Sequence, residues 1–320
     1  MKRRRFLQQA ASISVAGLAL REACATTEDE SWLDLRRSRS LPLRLRWPEG
    51  DGPCALIVHS HGLGGSRDGG DVWGRAWQQA GFAVLHLQHP GSDTEVLRGG
   101  MSALRAAASA QQLLARVIDM KFVLDEAARR SRLHEMGWSR VRLDAIGASG
   151  HSFGATTVQA VAGQRFGQAT PGVAEPRFKA FVAFSPAPGQ GLGAAEAFAG
   201  VTRPFLAVTG SHDGDVLGRG LSAADRARVY EALPPGRRAL LWLDGADHMT
   251  FAGNGEQRLR ARIGPLKREA VAAELEPQHH ARIAAITTLW WRAQLMGDAE
   301  AATALRAPVG LGATDRWRQD

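Results

Sequence analysis

The sequence predicts an α/β protein in which a mostly parallel central sheet is flanked by helices. Short apolar segments with strand character recur along the chain, and the stretches between them place their apolar residues at helical spacing. At 320 residues, 44% hydrophobic and 22% charged, the chain also has enough apolar material for one large core.

The first residues read differently from that core. RRRFL at 3–7 gives a basic start, Phe6 to Leu20 is moderately apolar, and Ala23-Cys24-Ala25 fits a small-x-small cleavage site. The pattern resembles a twin-arginine (Tat) export signal. Residues 1–25 are therefore expected to be a cleaved signal peptide and 26–320 a single catalytic domain, periplasmic or secreted, with the Tat machinery as a transient partner. Cys24 leaves a lipoprotein as the lesser alternative, although Arg21 and Glu22 stand where a lipid-attachment box has apolar and small residues. Cleavage after Ala25 would leave Cys54 without a disulfide partner. The formal charge of +8 halves once this segment is set aside, since residues 1–25 carry +4. What remains is arginine spread along the chain, which argues against a nucleic-acid partner. No segment reaches the roughly 20 apolar residues of a membrane span.

The expected strands are Leu41–Trp47, Ala55–His59, Ala83–Gln88, Arg142–Gly147, Phe178–Phe184, Pro204–Thr209 and Ala239–Leu243, each a short apolar run near turn-forming residues. Between the third and fourth, Leu113, Val117, Met120 and Leu124 fall on one face of a helix. A second helix is expected just after Ser152. A last one runs from about His279 to Met296, with Ile283, Ile286, Trp290 and Ala293 as its buried stripe. Gly and Pro clusters at 48–53, 186–193 and 234–236 read as loops within one domain. The tail after Ala307 is expected to be loose. No large insertion separates Phe184 from Pro204, so no large cap domain is expected there.

Residues 146–156 read IGASGHSFGAT, with Ser152 in a G-x-S-x-G pattern. The pattern alone is weak; its context is informative. It follows the strand VRLDAIGAS and precedes ATTVQAVAG, a plausible helix start. In such a strand-turn-helix the glycines are steric necessities, and the serine is held strained with its hydroxyl exposed at the carboxyl end of a strand. A serine hydroxyl is a poor nucleophile without a base, and the base needs an orienting acid. Both occur in order downstream: RPFLAVTG runs into SHDGD, and RRALLWLDGADH ends at His248. The candidate set is Ser152, Asp213 and His248, with Asp215 as the alternative acid. His279 and His280 belong to the last helix, and His151 is expected to point away from the serine. The loop SHGLGGS after the second strand is of the HGxxG type, which makes the backbone N–H groups of Leu63 and Phe153 the expected oxyanion donors. No His, Cys and carboxylate cluster has metal-ligand spacing, so neither metal nor cofactor is expected.

Taken together, SHGLGGSRDGGDVWGRAWQQAGFAVLHLQHPGSD, RVIDMKFVLDEA, IGASGHSFGA, TGSHDGDVLG and LDGADHMTF resemble bacterial predicted dienelactone hydrolases. These are α/β-hydrolases similar to platelet-activating-factor acetylhydrolases and, more distantly, to secreted polyester hydrolases. The likeness runs from about Trp32 to Leu305. It implies an α/β-hydrolase fold and a serine carboxylic-ester hydrolase acting on small-molecule or polymeric esters, with Ser152, Asp213 and His248 catalytic. One departure matters: true dienelactone hydrolases use a cysteine nucleophile, so with serine at 152 dienelactone is not the expected substrate. The same three residues would also serve an amidase, a peptidase or an acyltransferase, and a silent protein of this fold would only bind.

Overall fold

The computed structural model describes residues 24–167, 172–189, 191–216, 218, 220–253 and 270–320. Of the expected signal peptide only Cys24 and Ala25 lie among the described residues. Among the described residues nine strands form one sheet: β1 Thr26–Asp34, β2 Arg39–Trp47, β3 Cys54–Ser60, β4 Ala83–Leu87, β5 Val141–His151, β6 Phe178–Phe184, β7 Phe205–His212, β8 Arg238–Asp247 and β9 Arg316–Gln319. Their order is β1-β2-β4-β3-β5-β6-β7-β8-β9. Every pair from β4 to β8 is parallel, while β1, β2 and β9 join antiparallel. The α/β class and the mostly parallel sheet thus stand as expected.

Helices cover both faces: α1 Asp71–Gln79, α2 Gly100–Ala107, α3 Ala110–Arg132, α4 Phe153–Ala162, α5 Ala194–Phe198, α6 Ala223–Ala232, α7 Ala270–Met296 and α8 Ala299–Ala304. The inner strands face two apolar layers, so their side chains divide residue by residue. In β3, Leu56 and Val58 join the layer under α3 and α4, while Ala55 and Ile57 join the layer under α1 and α7. This is the period-2 alternation of a strand, with both faces apolar because both are covered. On the α7 side Trp73, Trp77, Trp290 and Trp291 are all buried, and Trp77 Nε1 donates to Thr287 Oγ1 at 3.0 Å. A Cβ on Gly147 would come within 2.6 Å of Trp291, so glycine is what lets that indole lie on the sheet. Trp290 is core, as its place on the stripe predicts. Among the described residues no helix is long and apolar enough to cross a membrane.

Two expectations need correction. The tail after Ala307 is not loose, because Arg316–Gln319 pairs with β8 and closes that edge of the sheet. Trp317 packs against the α7-side core, and Arg238 Nη2 bonds Asp320 Oδ2 at 2.9 Å. The helix expected from His279 reaches back at least to Ala270, carries Pro277 inside it, and is followed by the short α8.

The strand order reverses at β3. It leads to β4 on one side, and the chain then returns to β5 on the other. Sheets of this type bind ligands outside the carboxyl ends of their strands near such a reversal.

Candidate active site

β5 ends at His151, and Ser152 turns the chain into α4 with φ of 55° and ψ of −114°. A non-glycine residue adopts this conformation only at a cost of about 1–3 kcal/mol. The surroundings leave it no alternative. A Cβ on Gly150 would lie 2.5 Å from the Gly154 carbonyl oxygen, and one on Gly154 would overlap the Ser60 carbonyl. Both glycines are therefore required for the loop after β3 to press against the turn. Ser152 N–H donates to Phe184 O at 2.9 Å, which anchors the turn to β6.

The half-buried Ser152 hydroxyl lies 2.9 Å from His248 Nε2, and His248 Nδ1 lies 2.7 Å from Asp213 Oδ1. A carboxylate only accepts, so Nδ1 carries the proton and Nε2 is left to accept from the serine. Asp213 follows β7 directly and His248 follows β8, so two rigid strands aim the acid and the base. Asp247 and Thr250 brace the His248 turn: Asp247 N–H donates to Thr250 Oγ1 at 3.2 Å, and Thr250 N–H to Asp247 Oδ1 at 2.8 Å. His151 packs against His248, with ring centroids 4.8 Å apart, and its Nε2 donates to His248 O at 3.0 Å.

Asp215 sits elsewhere. It accepts from Gly220 N–H and lines the cleft, whereas Asp213 is fully buried and also accepts from Thr209 Oγ1 at 2.8 Å. Of the two aspartates, Asp213 holds the imidazole. Sequence reasoning missed its other partner, the buried Arg226 of α6, whose Nε lies 3.0 Å from Asp213 Oδ1. Arg226 also donates to the carbonyls of Asp213, Ser185, Pro186 and Gly214. Nothing in AADRARVY marks it out, because most of its partners are carbonyls of other loops. Burial alone would raise the Asp213 pKa, but the Arg226 charge and the His248 and Thr209 bonds outweigh it and keep the carboxyl ionised. Burial pushes the His248 imidazole down to about 4, helped by Arg226 and opposed by Asp213. The imidazole is thus neutral, and able to accept a proton, at neutral pH.

Leu63 is buried on the loop after β3, and Phe153 is the first residue of α4. A first-turn N–H has no acceptor within its own helix. Neither amide has a hydrogen-bond partner among the described residues. The two side chains share one small apolar cluster with Leu104 and Ala107 of α2. A cleft of about 530 Å³ opens over Ser152 and Phe153, walled by Leu113, Phe166, Val216 and Leu221 among others. Its size and largely apolar wall suit a small organic ligand. Among the described residues no group of three His, Cys, Asp or Glu side chains is placed to hold a metal ion. No protein-family model and no curated protein matches the chain.

Proposed function

We propose that the protein is a serine carboxylic-ester hydrolase of the α/β-hydrolase fold. The observation that carries this reading is the Ser152–His248–Asp213 hydrogen-bond chain, set on a strained strand-to-helix turn at the mouth of an apolar cleft. Ser152 Oγ attacks the ester carbonyl carbon while its proton passes to His248 Nε2, and Asp213 stabilises the imidazolium that results. The negative charge on the carbonyl oxygen is met by the N–H groups of Leu63 and Phe153. The C–O bond to the alcohol then breaks, His248 protonates the departing alcohol, and an acyl-serine remains. Water attacks that acyl group with its proton going to His248, and Ser152 leaves as the restored hydroxyl. The RRRFL start supports export of the enzyme as part of the same proposal.

Hydrolysis of short p-nitrophenyl esters by the purified protein, together with fluorophosphonate labelling mapped to the peptide containing Ser152, tests the reading. Wild-type protein that neither turns over such esters nor takes the label would sink it.

A further inference from the structure

The helix α3 carries two buried charges on or beside its apolar stripe, Arg116 and Asp119. Arg116 lies three residues after Leu113 and four before Met120, and it is completely buried. A buried guanidinium must satisfy its donors, and this one does so on the loops after β3 and β4. Nη1 donates to His61 O at 2.9 Å, Nε donates to Ser92 Oγ at 2.9 Å, and Nη2 lies 3.5 Å from Gly62 O. The guanidinium carbon also stands 4.6 Å above the ring centre of Phe153.

His61 works from the same side. Its Nε2 accepts from the His89 backbone N–H at 3.0 Å, so the neutral ring carries its proton on Nδ1, which donates to Gly62 O at 2.6 Å. With Nδ1 so occupied, the 3.1 Å approach of Arg116 Nη2 is a contact between two donors. That arrangement suits an uncharged ring, and burial and the Arg116 charge hold its pKa well below the ordinary value. Gly62 O accepts from Gly65 N–H as well, at 3.1 Å.

The Gly62 carbonyl and the Leu63 N–H belong to one peptide unit, and no peptide bond among the described residues is cis. In a trans peptide the two groups point in opposite directions. Fixing the Gly62 carbonyl toward Arg116 and His61 therefore fixes the Leu63 N–H on the other side. The same guanidinium braces the ring of Phe153, which supplies the second donor.

We propose that Arg116 is a positioning residue that holds both halves of the oxyanion site, the Gly62–Leu63 peptide and Phe153, in the orientation the transition state requires. The inference rests on the serine-hydrolase reading above. Arg116 does not touch substrate; it keeps two neutral donors aimed, and its buried positive charge stands behind them where negative charge develops.

The test measures kcat and KM on a short p-nitrophenyl ester, and the inhibition constant of a trifluoromethyl ketone whose serine adduct carries the oxyanion, for wild type, Arg116→Met, Arg116→Lys, Ser92→Ala and Ser152→Ala. Loss of one direct oxyanion donor costs about 10²–10³ in kcat, so loss of a group that aims two of them is expected to cost about 10- to 100-fold. Arg116→Met should show that loss in kcat with KM changed by less than about threefold, and should weaken the ketone by the same factor. Arg116→Lys, which keeps the charge but not the fork, should fall between. Ser92→Ala removes only the Nε partner, so it should shift both readouts a few-fold in the same direction, and it decides the matter if Arg116→Met does not fold. Folded variants with kcat within twofold of wild type, or with the whole loss in KM, overturn the proposal. So does a fall in kcat without weaker ketone binding. A wild type whose turnover depends on Ser152 but not on Arg116 overturns this inference alone. A wild type without Ser152-dependent turnover overturns it together with the functional reading.

Discussion

Two Ser–His–Asp chains with nearly the same bonds start from adjacent strands of this molecule, Ser60 at the end of β3 and Ser152 just after β5. In the first, Ser152, His248 and Asp213 are linked at 2.9 and 2.7 Å. In the second, Ser60 Oγ lies 2.9 Å from His89 Nε2, and His89 Nδ1 lies 2.9 Å from Asp119 Oδ2. The electrostatics also match: burial pushes both imidazoles down to about 4, each with a nearby arginine helping and its aspartate opposing. What separates the chains is backbone and access. Ser60 ends an extended strand and is completely buried, whereas Ser152 sits at positive φ, half-buried, on the wall of a cleft, and the Phe153 amide that follows it has no acceptor among the described residues. Asp119 is also gripped by Arg37 at 2.7 Å and Arg39 at 2.8 Å, which makes it the hub of a clasp joining β2, β4 and α3. Distances and the depressed imidazole pKa values alone therefore do not distinguish the proposed nucleophile from a serine buried in a structural tie.

The sharpest way to break that comparison is to remove each hydroxyl. Ser152→Ala is expected to lower ester turnover by at least about 10⁴-fold, the loss that follows from removing a nucleophile whose base and oxyanion site remain. Ser60→Ala should keep turnover within about tenfold and lose about 1–3 kcal/mol of stability, because His89 Nε2 is left buried without its partner. Steady-state kinetics and denaturant melts measure both. Equal losses of turnover in the two variants would show that the chains do not divide function and structure in this way.

The acids come next. Asp213→Asn should cost about 10⁴-fold in kcat, since an amide can hold the imidazole in the wrong tautomer, while Asp215→Asn should stay within about threefold. Asp119→Asn is expected to leave catalytic order intact but to cost about 3–5 kcal/mol of stability, as it strips charge from a carboxylate buried against Arg37 and Arg39. An Asp215→Asn enzyme as crippled as Asp213→Asn would reverse the assignment of the acid.

The same contrast between exposed and buried features explains what could be read from the sequence. Strands β2 to β8 are legible, β2 because Leu41, Leu43 and Leu45 alternate along it and β3 to β8 because they are covered on both faces and appear as apolar runs, and Ser152, Asp213 and His248 are legible because each follows such a run. The outer strands hide for the opposite reason. β1 carries Glu28, Asp29, Glu30 and Asp34, and only its Trp32 and Asp34 are buried. It exists through its ladder with β2 and ion pairs such as Arg44 to Asp29 at 2.7 Å, partners that no local pattern reveals. β9 is likewise polar, and its pairing partner lies about 80 residues upstream. Arg226 and Arg116 were missed because they bond the backbone of distant loops. Only Arg116 left a trace, a charge standing on the apolar stripe of α3.

The smallest expected effect is a shift along the pH axis. His248 must be neutral to accept the serine proton, so kcat/KM is expected to hold as pH falls from 7 and to drop as pH passes through about 4. Arg226 helps to set that low value through its charge, and in Arg226→Met the acid limb should move upward, toward the ordinary histidine range near 6.5. Stability must be followed alongside. His248, His89 and His86, the last pushed down to about 3 by burial and Arg46, are neutral in the fold yet protonate near 6.5 when unfolded. The unfolded chain therefore binds more protons between these values, and stability that is full above about 6.5 is lost as pH falls toward 4. His89 and His86 contribute to that loss without touching the serine, whereas His248 contributes to both. A limb that moves in Arg226→Met while the melting temperature at each pH stays above the assay temperature isolates His248 as the titrating base. A limb that stays at its wild-type position in folded Arg226→Met would remove Arg226 from the electrostatics of the site and leave it only as the clamp on the loops around Asp213.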